Sequence, residues 1–182
     1  MSIDPLGFTL LTIARNAIEK NFGREARTVT PHPNLSHPGA SFVTLTQNGQ
    51  LRGCIGSLEA YRALAADVAE NAVAAAFRDP RFAPLSSEEV DRTRVEVSLL
   101  EASVPIDFSD EADAISRLQP GVDGVILSYG KQRATFLPQV WESLPDPQRF
   151  MAQLKLKAGL PAAFWDEKIT LARYGVQKWK EA

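Results

Sequence analysis

The sequence predicts an α+β fold, a mixed or largely antiparallel sheet flanked by helices. Three observations predict it. Two turn signatures, Asn48-Gly49 and Gly130-Lys131, each sit between runs of strand-forming residues, as a β-hairpin requires. Other stretches repeat apolar residues at helical spacing and are punctuated by capping residues and glycines. Few strand–helix–strand crossovers separate them, so parallel pairing has little chain with which to form. The 182 residues suit a single domain, 1–182, built as two lobes around one core. A chain of this length buries enough surface to fold without a disulfide or metal staple.

Asp4-Pro5 is an N-cap followed by proline at the first helical position. Leu10, Ile13, Ala14, Ala17 and Ile18 then mark one face, and Gly23 stops the helix. Pro31, Pro33 and Pro38 make the next stretch a loop, which carries both histidines, His32 and His37. Residues 42–46 and 51–55 form a hairpin around Asn48-Gly49. A two-residue turn sets Leu45 opposite Arg52 and Val43 opposite Cys54, with Arg52 and Cys54 on one face. An alanine-rich helix is expected over 62–77, its stripe made by Leu64, Val68, Ala72 and Ala75, with the Asn71 amide turned toward it. Asp79-Pro80 ends that helix, and Ser86 with Glu89 forms a capping-box pattern.

Residues 93–100 alternate cleanly, with Val95, Val97 and Leu99 on one side and Arg94, Glu96 and Ser98 on the other. Ser109 is placed to cap a helix reaching about Leu118, and Pro120-Gly121 turns the chain. A second hairpin joins 125–129 to 133–137. Pro138 and Asp146-Pro147 each open a helix, the latter aligning Phe150, Leu154 and Ala158 before Gly159. One closing strand is expected over 169–179.

Composition narrows the chemistry. One cysteine excludes an intramolecular disulfide, a thiolate zinc cage and the three-cysteine cluster of a radical SAM enzyme. No metal-ligand spacing, P-loop or dinucleotide fingerprint occurs, so no metal and no cofactor are expected. Without a positively charged, apolar leader or a long apolar run, a cytoplasmic protein with no membrane span is expected. Net charge is −2, and residues 59–113 hold 13 acidic and 5 basic side chains, a net of −8, which argues against nucleic acid as a partner. Trp141, Trp165 and Trp179 lack interleaved basic residues and read as core rather than base-stacking platforms. The glycines of Gly53-Cys54-Ile55-Gly56 end a strand, unlike the GxxG of a KH domain.

Leu51-Arg52-Gly53-Cys54-Ile55-Gly56 resembles the LRGCIG signature of the AMMECR family. Five further blocks resemble that family in the same order: Asn71–Ala76 (NAVAAA), Phe77–Pro84 (FRDPRFAP), Glu96–Leu99 (EVSL), Phe136–Val140 (FLPQV) and Lys157–Leu160 (KAGL). Thr135–Trp141 (TFLPQVW), with Pro145-Asp146-Pro147, is most similar to the bacterial and archaeal branch called AmmeMemoRadiSam system protein A. The resemblance implies a compact α+β fold with a larger and a smaller lobe. It also implies the company of a Memo-like protein and a radical SAM protein. It brings no fixed reaction or substrate, and a nucleic-acid-related regulatory role has been suggested for the family.

Cys54 is the first candidate for chemistry, because a thiolate beside a positive charge is a nucleophile. Arg52 is expected to lower its pKa, and Gly53 and Gly56 to let a ligand approach the backbone. The amides opening the following helix could hold an oxyanion. Glu96 is the candidate proton carrier, or else a carboxylate paired to Arg81 or Arg52. Asp79 and Arg81 either tie a tight turn to the sheet or offer a bidentate clamp for a carboxylate or phosphate. Arg52, Asn71, Arg81 and Glu96 are expected to converge on one cleft around Cys54. Two readings lead from there. One is an accessory component that binds a small ligand or a partner at this cleft. The other is a cysteine-dependent hydrolase or group transferase with Cys54 as nucleophile.

Overall fold

The computed structural model describes residues 4–182, and the absence of a charged leader at Met1–Ile3 concerns residues outside that range. Helix α1 (Pro5–Lys20) opens as expected, the Asp4 side chain accepting from the Leu6 N–H. A proline-rich loop with one 3-10 turn (Pro33–Ser36) leads to the hairpin β1 (Ser41–Gln47) and β2 (Gln50–Gly56). Helix α2 (Leu64–Phe77), a 3-10 turn (Ser87–Arg92) and β3 (Thr93–Leu100) follow. The chain then forms β4 (Val104–Pro105), α3 (Glu111–Arg117), β5 (Gly124–Tyr129) and β6 (Gln132–Phe136). A third 3-10 turn (Pro138–Glu142) precedes α4 (Pro147–Lys157), β7 (Thr170–Tyr174) and β8 (Val176–Lys180).

These elements form an α+β fold with two four-stranded sheets, and the chain divides into two compact units. The first runs through Leu100 and takes back Gln177–Ala182; the second is Glu101–Val176. In the first unit the strand order is β2-β1-β3-β8, and β1 pairs antiparallel with both neighbours. Leu10, Ala14 and Ile18 of α1 and Val68, Ala72 and Ala75 of α2 share one core with Val43, Leu45, Val95 and Val97. The period-2 and period-3.6 patterns of the sequence therefore meet on one face of the sheet. Arg15 is buried in this unit. It donates to the carbonyls of Val90 (3.1 Å) and Thr93 (2.7 Å) and pairs with Glu181, whose carboxylate also accepts from the Val95 N–H.

The second unit orders its strands β4-β7-β5-β6, all antiparallel. Phe150, Met151 and Leu154 of α4 fill its core against Val125, Leu127 and Leu171. The buried Trp141 stacks on Phe150 with ring centroids 3.7 Å apart, so this tryptophan is core.

Three expectations are corrected. The Arg62 side chain lies ahead of α2, which starts at Leu64. Asp110, not Ser109, caps α3, its carboxylate accepting from the Asp113 N–H at 2.8 Å, while Ser109 donates to Asp113. The single closing strand is two, broken at Gly175, and each half joins a different sheet. No helix among the described residues is long and apolar enough to cross a membrane.

Candidate functional site

Asn48 and Gly49 take φ of 50° and 77°, the left-handed pair that turns a tight hairpin. The register begins as expected, with Gln47 opposite Gln50 and Thr46 opposite Leu51. It then skips one residue, so that Leu45 faces Gly53 and Thr44 faces Cys54. This β-bulge overturns the expected pairing of Leu45 with Arg52 and of Val43 with Cys54. A bulge places two successive residues against one and breaks the alternation.

The bulge also separates Arg52 from the thiol. Arg52 forks onto Glu89, Nε to Oε1 at 3.0 Å and Nη2 to Oε2 at 3.1 Å. Glu89 also accepts from the Gln47 side chain and from the Ser86 N–H. Gln47 shares a strand face with the buried Val43 and Leu45, so Arg52 is drawn to the side of the sheet that the helices cover. Glu89 is held down to about 2, chiefly by its hydrogen bond from Arg52 and against the cost of burial. Arg52 Nη1 is buried without a hydrogen-bond partner, and the guanidinium lies 5.8 Å from the Phe82 ring centre, a cation–π distance.

Cys54 is half-buried on the opposite side. Its Sγ lies 3.3 Å from Thr44 Oγ1. Thr44 faces Cys54 on β2 and Glu96 on β3, so Cys54, Thr44 and Glu96 form one row across three strands. Two strand spacings, about 10 Å, separate the backbones of Cys54 and Glu96, with Thr44 standing between them. Glu96 pairs with neither Arg52, which Glu89 holds, nor Arg81, which Asp79 holds. Thr44 gave no separate signal in the sequence; a correct register would have exposed it.

Asp79 and Arg81 meet Cys54 through its backbone. The Arg81 guanidinium forks onto Asp79, Nε to Oδ1 at 3.0 Å and Nη2 to Oδ2 at 2.8 Å. Asp79 Oδ2 also accepts the Cys54 N–H at 2.9 Å, and Arg81 Nη2 donates to the Cys54 carbonyl at 3.4 Å. The Arg81 hydrogen bond, followed by those from the two backbone amides, holds the buried Asp79 carboxyl well below its ordinary range. Asp79 in turn pushes Arg81 up. The pair ties the turn to the sheet, and its bidentate face is occupied from within the chain.

The glycines of the signature are explained by packing. A Cβ on Gly53 would collide with the Ala75 carbonyl of α2, and one on Gly56 with the Phe42 ring. The close approaches expected of a ligand are thus made by the chain's own atoms.

Asn71 belongs to a different cluster. Its amide donates to the Ser41 carbonyl at 3.0 Å, to Ser57 Oγ at 3.1 Å and to Asp67 Oδ2 at 3.1 Å. Asp67, fully buried, also accepts from Ser41 N, Ser41 Oγ, Ser57 Oγ and Arg62 Nε. Five donors satisfy one buried carboxylate, as low dielectric demands. Sequence reasoning found Asn71 and missed Asp67, although a lone acid on the apolar stripe, three residues after Leu64, was the signal available. Seven residues, 57–63, separate β2 from α2. The first amide of α2, Leu64 N, bonds the His37 carbonyl and holds no oxyanion. His32 caps the loop's 3-10 turn through Nδ1, which accepts from Asn34 N at 3.2 Å.

The expected single cleft is therefore resolved into three parts. These are an Arg52–Glu89 fork, an Asp67–Asn71 hub, and the row Cys54–Thr44–Glu96 with Asp79–Arg81 against the Cys54 backbone.

Comparison with known proteins agrees with this architecture. A protein of Methanothermobacter thermautotrophicus is 38% identical over 184 residues, spanning 96% of this chain and 94% of that one. A protein of Thermofilum pendens is 34% identical over 178 residues, spanning 87% of this chain and 81% of its own. The crystal structure of an uncharacterised protein from Pyrococcus horikoshii superposes with a TM-score of 0.84 at 32% identity, covering 98% of this chain and 93% of that one. The AMMECR1 family profile matches residues 11–179, and the chain belongs to the AMMECR1 family.

Proposed function

We propose that this chain is a binding component rather than a cysteine enzyme, and that it binds a small ligand or a partner surface on the sheet face bearing Cys54, Thr44 and Glu96. The observation that carries the reading is that the arginines of the two motifs are engaged away from the thiol. Arg52 is forked onto Glu89 and Asp79 onto Arg81, while the thiol's own hydrogen-bonding neighbour is a threonine hydroxyl. A cysteine nucleophile needs a base within hydrogen-bond reach, with a third group to orient it. That arrangement is not found here among the described residues. A half-buried row of thiol, hydroxyl and carboxylate is instead suited to recognition.

The partners proposed are a Memo-like protein and a radical SAM protein, in the cytoplasm. Support comes from Thr135–Trp141 (TFLPQVW) and Pro145-Asp146-Pro147, which resemble the branch named for that company. Co-purification of the tagged chain with each partner tests the reading. Retention of either, weakened by Thr44→Arg and Glu96→Arg on the sheet face, is expected. Failure of both to co-purify, together with iodoacetamide labelling of Cys54 that saturates below pH 7, would favour the cysteine-enzyme alternative.

A further inference from the structure

β2 is an edge strand of its sheet, and an edge strand offers a row of unpaired N–H and C=O groups to any other strand. Which groups face outward follows from the hairpin. Ser57 N donates to the Ser41 carbonyl at 2.9 Å, so at this end Ser57, Ile55 and Gly53 direct their backbone groups toward β1. Cys54 and Gly56 direct theirs away from it. The outward N–H of Cys54 is taken by Asp79 Oδ2 and its outward C=O by Arg81 Nη2. One carboxylate and one guanidinium, locked together, thus present to Cys54 an acceptor and a donor side by side, which is what a residue of a neighbouring strand would present. The Arg81 N–H also bonds Asp79 Oδ1 at 3.0 Å, and Leu85 N returns to the Ala76 carbonyl at 2.8 Å, fastening the segment at both ends. The bulge at Arg52 bends the same edge.

We infer that Asp79 and Arg81 form a side-chain clip that closes the β2 edge, and that the surface beneath it is a latent pairing site for β2 of a second copy of this chain. An antiparallel edge pairs with itself about a two-fold axis, so a second copy carries the matching surface by construction. The inference is independent of what binds the Cys54 sheet face, because it concerns the strand's edge and not its side chains.

The test uses the full chain in a Cys54→Ser background under reductant, so that no intermolecular disulfide contributes. Asp79→Ala is compared with its parent by amide hydrogen exchange and by light scattering over a wide concentration range. Exchange at position 54 faster by about tenfold or more, with a mass climbing toward twice the parent's, is expected. Adding Leu51→Lys, which places a charge on the edge strand, should return the parent's mass. Asp79→Asn keeps an acceptor oxygen for the amide and should stay closer to the parent than Asp79→Ala. A concentration-independent mass equal to the parent's overturns the inference. So does association that persists with Leu51→Lys, or that is as strong in Asp79→Asn. If Asp79→Ala fails to fold, Arg81→Ala, which frees the Cys54 carbonyl, is read in the same way.

Discussion

The Asp79 carboxylate accepts the Cys54 main-chain N–H at 2.9 Å across 25 residues of sequence. It joins the LRGCIG strand to the turn of the FRDPRFAP block, so two separate stretches of the sequence form one structural unit.

Removing that carboxylate strands two donors. Asp79→Ala should lower unfolding free energy by about 1–3 kcal/mol, the cost of leaving a partly buried amide and a guanidinium without their acceptor. Asp79→Asn should cost less, because one oxygen still meets Cys54 N. Urea unfolding followed by circular dichroism gives the ranking, and equal losses would show that the amide bond contributes nothing.

Acid should loosen the first unit in a defined window. Glu89 sits near 2 in the fold against an ordinary 4.5, and Asp79 lies well below its ordinary 3.8. Both folded values are depressed, so the unfolded chain binds more protons as pH falls. Their stabilisation is fully present above about pH 4.5 and is lost progressively toward pH 2. Glu89→Gln should flatten part of that slope, by about 2 kcal/mol, measured as unfolding free energy at pH 6 and pH 3.

Two glycines of one motif should tolerate a methyl group unequally. At Gly53 the obstacle is the Ala75 carbonyl of α2, which is backbone, whereas at Gly56 it is the Phe42 ring, a side chain that can swing. Gly53→Ala should cost about 1–3 kcal/mol by overpacking and Gly56→Ala less. Thermal melts of the two variants decide the order.

The buried hub should be the most sensitive point in the first unit. Asp67→Ala leaves Arg62 and the Asn71 amide without their shared acceptor and should cost about 3–5 kcal/mol. Asn71→Ala should cost about 1–3 kcal/mol. Faster exchange over residues 57–63 should accompany both, since Ser57 and Arg62 flank that loop and both bond Asp67 Oδ1. Unchanged exchange there would separate the hub from the loop.

Much of the fold was legible locally. The Asp4-Pro5 and Asp146-Pro147 caps, the Asn48-Gly49 turn and the alternation of Val95 and Val97 each rest on chemistry confined to a few residues. The site was legible only as a set of positions. Arg52, Asn71, Arg81 and Glu96 stand out in the sequence as polar groups that core packing alone does not require. Their grouping depended on the bulge at Arg52, and nothing in residues 50–56 shows whether the hairpin keeps strict register. A slip of one residue sends Arg52 to Glu89 instead of the thiol and puts Thr44 beside Cys54. The split at Gly175 was hidden for a related reason, since the strand pattern continues through it while the partner sheet changes.

That split sets an order of events during synthesis. Glu101–Val176 is a continuous run and can collapse on its own once it has left the ribosome. The first unit has most of its chain earlier, yet it lacks β8 and the Glu181 carboxylate that Arg15 and the Val95 amide require. Until Gln177–Ala182 emerge, the buried Arg15 lacks its Glu181 partner and β3 has an open flank. The unit that begins first therefore closes last, and a chain cut before Gln177 would be complete in its second unit and unsealed in its first.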